Sequence, residues 1–421
     1  VERGLTRCRR RPRPRFPNDA RPAVLVRIVS PDLYDSIRRA VLPSPYSPGA
    51  VPVYLAGRGA ELETIRTRLA RTRMLGRSGG PLLAFYGSRG LGKTSLLRAA
   101  QREAAAAGYL TVWVTGRDDV ALAPDLAASL TEEISRRSTS QKAKGILQNL
   151  SKVQVEVGVP GAKVGVEADR TRASAAVERN LADAGRFARQ HDHHGLAVFV
   201  DEFQEAQLAD RRSLLIALQH FDGAPEGYPV AIIAAGLPSL LGAVPEAATF
   251  GERTDFVEIG LLGEVAVAEA LRLPAQELGV TWSDDAILAA IEAAAGYPHR
   301  VQLIGDAAWE AGRPQRGDVI GQAQVRLGAE RAEQRMGAVF RSRMAKINPE
   351  QRRVVTAMAE LGDHPVSRAA LAGRLGITSE ALSRPRQELI DRGLIESAGR
   401  GLLRFTIPGF AGFLRANADL E

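Results

Sequence analysis

The chain has 421 residues, of which 45% are hydrophobic and 25% charged, the balance of an ordinary globular protein with two to four compact units. No apolar run approaches the ~18 residues that a membrane-spanning helix needs. There is no signal-peptide pattern, and the single cysteine, Cys8, excludes an internal disulfide, so we expect a cytoplasmic protein without a membrane partner.

An Arg/Pro-rich tail at residues 1–42 opens the chain. Its first forty residues hold eleven arginines and four acidic residues, and so account for nearly all of the net charge of +8. The composition predicts disorder. Two interpretations stay open: the tail binds nucleic acid or acidic surfaces, or it reflects a start site assigned too far upstream. In neither case does the net charge argue that the folded body binds nucleic acid.

Strands alternate with helices from residue 43 to about 262, which predicts an α/β core with a parallel sheet. The predicted strands are 82–86, 109–114, 196–200, 230–235 and 256–259, and the predicted helices include 93–107, 117–150 and 172–190. Valines of period two at 153–166 predict a β-hairpin inside an insertion at about 131–170. This hairpin is either a structural insertion or a partner-binding edge.

The pattern becomes all helical from 263 to 345 and changes again from 346 to 421. There, a helix–glycine turn–helix pattern is followed by the two short strands of "IESAGRGLLRFTIP", which is typical of a winged helix-turn-helix. We expect its second helix to begin near Ser383, with Pro385 in the first turn. The predicted core positions are Leu371, Leu375, Ile377, Leu382, Leu389, Ile390, Leu394 and Ile395.

The stretch "GSRGLGKT" fits the complete phosphate-binding loop pattern and stands between a predicted strand and a predicted helix. Glycines let several backbone N–H groups converge on one anion, and the helix places its positive end at the phosphates. Lys93 then reaches the β- and γ-phosphates, and the Thr94 hydroxyl ligates Mg²⁺. The predicted ATP-binding residues of the loop are Gly87, Ser88, Arg89, Gly90, Leu91, Gly92, Lys93, Thr94 and Ser95.

Two carboxylates follow the buried strand of "LAVFVDEFQ", at the strand end where open α/β sheets bind ligands. Asp201 is suited to hold Mg²⁺ directly or through water, and Glu202 to polarise the attacking water. Arg253 is a candidate to reach a γ-phosphate, on this chain or on a neighbouring subunit. Arg300 is a candidate γ-phosphate sensor; for both arginines a solvated surface role stays open.

Together with the phosphate loop, the stretches "VDEFQ", "AGLPSL" and "GYPHRVQLIG" resemble bacterial, actinobacterial-type AAA+ ATP-binding proteins of the origin-recognition/STAND-like branch. The segment "YLAGRGAELETI" is similar to that family's motif near the adenine, which corresponds here to Gly57 and Arg58. The resemblance covers residues 44–415. It implies a P-loop core with a five-stranded parallel sheet (43–262), a helical lid (263–345) and a C-terminal winged helix (346–421).

The sequence departs from this family where the strand "VAIIAAG" ends without the polar residue that positions water in many members. His299 and Arg300 also stand where close relatives often have aromatic or aliphatic residues, so the lid-arginine role does not transfer directly. These departures predict a slow, Mg²⁺-dependent ATPase that acts as a nucleotide switch.

Two hypotheses remain for what the nucleotide switch controls. In one, the winged helix binds duplex DNA through Arg384, Arg386 and Arg400. In the other, the protein is a STAND-like signalling or scaffold ATPase, capable of nucleotide-dependent homo-oligomerisation, whose winged helix contacts a protein. Residues 347–421 carry ten basic and nine acidic residues, which is weakly basic for a DNA reader. The "HDHH" run at 191–194 is expected to be a solvated loop rather than a metal site.

Overall fold

The computed structural model of the protein describes residues 42–137, 166–191 and 193–417. The arginine-rich tail to residue 41 and the predicted hairpin to residue 165 lie outside these ranges. The structure changes the assignment of two residues, one at the end of the predicted hairpin and one at the end of the predicted tail. Val166, placed by its alternation in the hairpin, begins a helix. Leu42, assigned to the tail, packs against the core, and its carbonyl accepts a hydrogen bond from the Trp309 indole at 2.9 Å.

A five-stranded parallel sheet forms the centre of the α/β core, as predicted, in the order β2-β3-β4-β1-β5. Its strands are β1 Leu83–Tyr86, β2 Leu110–Thr115, β3 Leu196–Asp201, β4 Val230–Gly236 and β5 Asp255–Glu258. Strands β3 and β4 are buried along their whole length, which explains their continuous apolar sequences. The first strand lies between β4 and the outermost strand β5, and the loop that follows it leaves the carboxyl end of the sheet, where ligands bind in such folds.

Helices cover both faces of the sheet. They are α1 Gly59–Leu75, α2 Lys93–Ala106, α3 Leu122–Arg137, α4 Val166–Gln190, α5 Leu208–Gly223 and α6 Leu240–Ala247. Side chains of β1 and of Leu82, just before it, alternate between the faces: Leu83 and Phe85 share one hydrophobic core with α2, whereas Leu82 and Ala84 share the other with α3, α4 and α5. The alternation anchors β1, and therefore fixes the start of the loop that follows it.

Four helices follow the core: α7 Glu264–Glu277, α8 Asp284–Ala294, α9 Pro298–Gly312 and α10 Gln322–Met344. The expectation of an all-helical segment needs one correction. Two short strands, β6 Thr281–Trp282 and β7 Val319–Ile320, pair in parallel within it. Strands of two residues are too short to leave a period-two signal in the sequence. None of the helices in the described ranges has the length and hydropathy of a bilayer-spanning segment.

The C-terminal region contains helices α11 Pro349–Leu361, α12 Arg368–Leu375, α13 Ser383–Asp391 and α14 Phe410–Ala416. An antiparallel sheet, ordered β8-β10-β9, joins them, with β8 Val366–Ser367, β9 Ile395–Gly399 and β10 Leu402–Phe405. The predicted start of α13, with Pro385 in its first turn, is confirmed. Strand β8 and helix α14 were not predicted. Ile377 is wrong as a core position: it follows the left-handed Gly376 that ends α12 and is 36% exposed.

Candidate functional site

The phosphate loop, residues 87–94, connects the carboxyl end of β1 to the first turn of α2. Two of its glycines, Gly90 and Gly92, have φ values of 84° and 86°, in the left-handed region that other residues rarely adopt. A Cβ on Gly90 would lie 2.0 Å from the hydroxyl oxygen of Tyr297 on the far side of the loop, whereas a Cβ on Gly92 would meet nothing within 4 Å. Gly90 therefore permits close contact with Tyr297, and the loop at Gly92 faces open space.

The ammonium group of Lys93 is turned back onto its own loop. The residue is 7% exposed, and its Nζ donates to the carbonyl oxygens of Gly87 and Ser88, both at 2.8 Å. Burial lowers the pKa of Lys93 to about 8, despite the opposing charges of Glu202 and Asp201. The hydroxyl of Ser88 is also buried and has no hydrogen-bond partner within the described residues. A buried ammonium group and an unsatisfied hydroxyl at this loop suit an anion.

The two residues predicted to hold Mg²⁺, Thr94 and Asp201, form a hydrogen bond with each other. Thr94 Oγ1 donates to Asp201 Oδ2 at 2.7 Å, across from the first turn of α2 to the end of β3. Burial raises the pKa of Asp201, and the Thr94 hydrogen bond opposes that shift. Oxygen ligands of this kind are those that Mg²⁺ prefers. The residues present therefore fit a magnesium ion beside the phosphate loop.

Glu202 has left-handed backbone geometry, with a φ of 48°, in the turn after β3. Gln204 holds its side chain: the Gln204 amide nitrogen donates to Glu202 Oε2 at 2.7 Å. The Gln204 amide oxygen accepts from the backbone N–H of Leu237 at 3.0 Å, just after β4. A Cβ on Gly236 would lie 2.1 Å from that amide oxygen, so the bare end of β4 makes room for Gln204.

Gln204 thus occupies the place where the sequence showed no polar residue at the end of β4. Sequence reasoning missed it, although it stands in the quoted "VDEFQ" stretch. The signal was the combination of an amide two residues after Glu202 with a strand that ends in Ala235 and Gly236.

Arg58 ties the N-terminal segment to the phosphate loop. It is 5% exposed, and its Nη2 donates to the carbonyl oxygens of Leu91 at 3.1 Å and Gly260 at 2.5 Å. Gly57 has a φ of 67°, and a Cβ there would lie 2.4 Å from the Cβ of Ala266 on α7. The predicted adenine-side pair is therefore placed at the junction of core, loop and α7.

A cavity of about 410 Å³ lies in front of these groups. Residues 89–95 of the loop region, Arg58 and Glu202 line one side, and apolar residues of the segment 50–56 line another. Its third wall is the start of α9, with Pro298 and His299. The size is in the range of small-molecule sites, and the walls combine an apolar end with a cationic end. A nucleotide matches this division, with the base at the apolar end and the phosphates at the loop.

Two predicted arginines are not brought to this cavity. The guanidinium of Arg300 is only 9% exposed and pairs with Glu333 on α10, while its Nη1 lies beside Gly409. Arg253 ends a 3₁₀ turn before β5, is exposed, and does not line the described cavity. Within this chain, neither side chain faces the phosphate loop.

The histidines of the "HDHH" run contact backbone carbonyl groups and aromatic rings of the α/β core. His191 Nδ1 hydrogen-bonds to the Phe187 carbonyl at 2.9 Å, and His193 Nδ1 to the Gly108 carbonyl at 3.2 Å. His194 lies edge-on to the ring of Tyr109. No grouping of metal-type ligands occurs among the described residues, which exclude residue 192.

The three arginines predicted to contact DNA differ in availability. Arg384 is exposed on α13 and pairs with Glu388 at 2.9 Å. Arg386 is half-buried beside Arg368, and burial lowers its pKa. Arg400 is exposed in the turn between β9 and β10. One of the three is therefore freely presented, one is paired and one is partly covered.

Comparison with family models finds that residues 54–233 match the AAA ATPase domain, and that residues 337–414 match a domain of unknown function, DUF8462. Comparison with curated protein sequences gives no significant match. The residues matched by the AAA ATPase domain model enclose the phosphate loop, β3 and the Asp201–Glu202 pair.

Two solved structures are similar across most of their length. A Walker-type ATPase of Pyrococcus abyssi has a TM-score of 0.57 at 16% identity, with 90% of this chain and 99% of that chain covered. The ORC2 protein of Aeropyrum pernix, solved in ADPNP and ADP complexes, has a TM-score of 0.55 at 16% identity, with 89% and 98% covered. At this level of identity the likeness establishes the fold alone: an α/β architecture around a five-stranded parallel sheet, shared with these two proteins.

Proposed function

We propose that this protein binds ATP with Mg²⁺ in the cavity before the phosphate loop and hydrolyses it slowly, as a nucleotide switch. The observation that carries the proposal is the arrangement of Lys93, Thr94 and Asp201. A buried ammonium group stands beside a hydroxyl–carboxylate pair, at the end of the sheet and at the positive end of α2. The AAA ATPase domain match supports the same assignment.

Each residue then has a role. Lys93 leaves the loop carbonyls to contact the β- and γ-phosphates, and the N–H groups of residues 87–95 hold the phosphate oxygens. The Thr94 hydroxyl would ligate Mg²⁺, with Asp201 holding it directly or through water. The ion neutralises phosphate charge when bound. Glu202 orients and polarises the attacking water. Gly57 and Arg58 shape the adenine end.

Slow turnover follows from what surrounds Glu202. Its carboxylate already accepts a hydrogen bond from the Gln204 amide at 2.7 Å, which weakens it as an acceptor for water. Arg253 is too exposed to serve its own chain and is proposed to complete the site of a neighbouring copy in a nucleotide-dependent oligomer.

The test is nucleotide binding by calorimetry, followed by phosphate release. We expect Lys93→Ala to abolish ATP binding, and Glu202→Gln to keep binding but stop turnover. Lys346→Ala is the matched control, because Lys346 is an exposed lysine outside the ATP cavity. Unchanged ATP affinity in Lys93→Ala would refute the site assignment, and undiminished phosphate release in Glu202→Gln would reassign the water-activating residue.

We further propose that α7–α10 (263–345) act as the lid of this site and that residues 346–421 form a winged helix, as in the origin-recognition/STAND-like branch. The arrangement of α11, α12 and α13 with the β8-β10-β9 sheet supports the winged helix. The β9–β10 turn, with Arg400, is its wing, and α13 is its recognition-type helix.

For the output, the geometry favours a protein partner over duplex DNA. Arg384 pairs with Glu388 at 2.9 Å on the exposed face of α13, and Arg404 on the wing pairs with Glu396 at 2.6 Å. A DNA reader would leave such cations free for phosphates. DNA binding remains the second candidate, since Arg400 is exposed at the wing tip.

A salt series of duplex-DNA binding separates the two outputs. We would compare the full chain with an Arg384→Ala/Arg386→Ala/Arg400→Ala variant, with and without ATP in a Glu202→Gln background. The tail is common to both proteins, so it contributes equally. Affinity and salt dependence that are the same in both support the protein-facing output, and a loss in the triple variant supports DNA binding.

A further inference from the structure

A second cavity, of about 480 Å³, lies where the last turn of α10 meets α11, α12 and α14. Its volume is within the range of about 300–1,000 Å³ that ligand pockets have. None of the described residues that line it belongs to the phosphate loop, to α13 or to the strands of the proposed wing. The cavity is therefore separate both from the proposed ATP site and from the arginines considered for DNA.

The buried part of the cavity lining is apolar. Ala357 and Leu414 are buried there. Leu375 and Phe413 are partly buried and pack against the hydrophobic core. The Phe413 ring is held by the Phe340 ring, with 5.2 Å between the two centroids. A lining of this kind favours a ligand that brings an apolar side chain.

The rest of the lining is strongly cationic. Four arginines and one glutamate give it a net charge of +3: Arg341, Arg352, Arg353, Arg374 and Glu360. Glu360 pairs with Arg374 at 2.6 Å, so the one acidic residue of the cavity is already engaged by one of its arginines. The charge that remains calls for carboxylates from outside the cavity.

Two of these arginines are well placed to receive such carboxylates. Arg341 on α10 and Arg353 on α11 are both exposed, and no described carboxylate forms an ion pair with either of them. The half-buried Arg352 donates from Nη2 to the carbonyl oxygen of Met344 at 3.2 Å. Guanidinium groups from two helices therefore stand beside one apolar recess.

We propose that this cavity docks an acidic segment of a partner protein, in which a large apolar side chain stands among carboxylates. The inference rests on the protein-facing output proposed above, and it adds the docking surface and the charge of the partner. The guanidinium groups bind carboxylates in a planar fork, and the apolar lining takes the side chain between them. The carboxylates steer the segment to the cavity, and burial of the apolar side chain holds it there.

Other occupants meet only part of this chemistry. The phosphates of a nucleic acid match the arginines, but they bring no apolar side chain to the recess between α11 and α14. The first forty residues of this chain, with eleven arginines and four acidic residues, have the same sign of charge as the cavity and do not complement it. An acidic, leucine-containing segment satisfies both parts of the lining.

The first measurement is the affinity of the full chain, without nucleotide, for a labelled synthetic peptide in which leucines alternate with pairs of acidic residues. Arg341→Gln/Arg353→Gln should weaken binding about tenfold, because two charge-assisted contacts are lost. Arg316→Gln/Arg326→Gln is the matched control: it removes the same charge from exposed positions that do not line the cavity. An equal loss in both variants, or no loss in the first, overturns the proposal.

Two altered peptides separate specific docking from charge attraction. Replacing the acidic residues with glutamine should abolish binding, and replacing the leucines with serine should weaken it about tenfold. Added salt should weaken the parent peptide's binding to the wild type more than to Arg341→Gln/Arg353→Gln. A serine-substituted peptide that binds as tightly as the parent peptide would show charge attraction alone and overturn the proposal.

The place of binding is measured separately, because the arginine-rich tail attracts any acidic peptide. A benzophenone group in place of one leucine should crosslink, on irradiation, to the apolar lining at Met344, Leu375 or Phe413. Crosslinks confined to residues 1–42 or to the surface of α13 overturn the proposal.

A chain that ends at Asn417 tests a further occupant, since two acidic residues, Asp419 and Glu421, follow α14 in the sequence. Unchanged peptide affinity supports a partner protein, and a tenfold gain would assign the cavity to the chain's own residues and overturn the proposal.

The inference can fail without the proposed function. If the peptide does not bind while the duplex-DNA series still supports the protein-facing output, only this docking surface is lost. Loss of DNA binding in the Arg384→Ala/Arg386→Ala/Arg400→Ala variant would instead refute the output on which it rests. Thermal melts confirm folding, and the single variants Arg341→Gln and Arg353→Gln give the same comparison if the double variant does not fold.

Discussion

Lys93 should make the nucleotide-free protein less stable than its neutral counterpart. The residue is 7% exposed, and its pKa is lowered from an ordinary value near 10.5 to about 8. Burial is the main cause, and the two carboxylates nearby only partly offset it. Lys93→Met replaces the ammonium group with an apolar group of similar length. It therefore removes the titrating charge while keeping the volume.

The size of the effect follows from the shift. Below about pH 8 the lysine is protonated in both the folded and unfolded states, and the folded state bears the full cost of the buried charge. Between about pH 8 and 10.5 the unfolded chain binds more protons, so stability rises with pH. The rise across that window is about 3 kcal/mol, at 1.36 kcal/mol per pKa unit. Lys93→Met has no group that titrates there.

Urea denaturation of both proteins at a series of pH values, without nucleotide, measures this difference. We expect the wild type to gain about 3 kcal/mol relative to Lys93→Met between pH 7 and 10.5. Other alkaline titrations are common to the two proteins and cancel in the comparison. The lost hydrogen bonds to Gly87 and Ser88 add a constant that does not change with pH. A stability difference that stays flat across the window would refute the reasoning.

Three further predictions concern the proposed site. Gln204→Ala should raise the rate of phosphate release while keeping ATP affinity, because Glu202 loses a 2.7 Å hydrogen bond that weakens it as an acceptor for water; an equal or lower turnover number would contradict this role. Tyr297→Phe removes the hydroxyl that donates to the carbonyl oxygen of Arg89 at 2.8 Å. The free energy of unfolding, measured without nucleotide, should fall by about 1 kcal/mol. Thr94→Val should weaken ATP binding more in the presence of Mg²⁺ than in EDTA, and equal weakening in both would remove Thr94 from the metal site.

The sequence predicted the core well because two strong local signals coincide there. Buried strands such as β3 and β4 have continuous apolar sequences, and the glycine-rich loop has a fixed spacing between β1 and α2. The pairing of Thr94 with Asp201 also follows from parallel topology, since the carboxyl ends of β1 and β3 meet at one edge of the sheet.

The sequence could not predict which arginines face the loop. Arg300 is buried and Arg343 half-buried, on neighbouring helices, and no local pattern distinguishes them. Only the pairing of α9 with α10 puts Glu333 beside Arg300, whereas none of the described carboxylates forms an ion pair with Arg343. Gln204 was missed for a similar reason: its role depends on Leu237, 33 positions later in the chain.

The nucleotide-free site combines several unfavourable features that one ligand would relieve. Lys93 is a buried ammonium bonded only to neutral carbonyls, and Arg343 is a half-buried guanidinium that forms no ion pair with any described carboxylate. Ser88 keeps an unsatisfied hydroxyl within the described residues, and Glu202 adopts left-handed backbone geometry. A polyanion at the loop supplies acceptors to Lys93 and Ser88 at once. Because a ligand that binds only the folded state stabilises it by mass action, part of the stability lost at this site returns with the triphosphate.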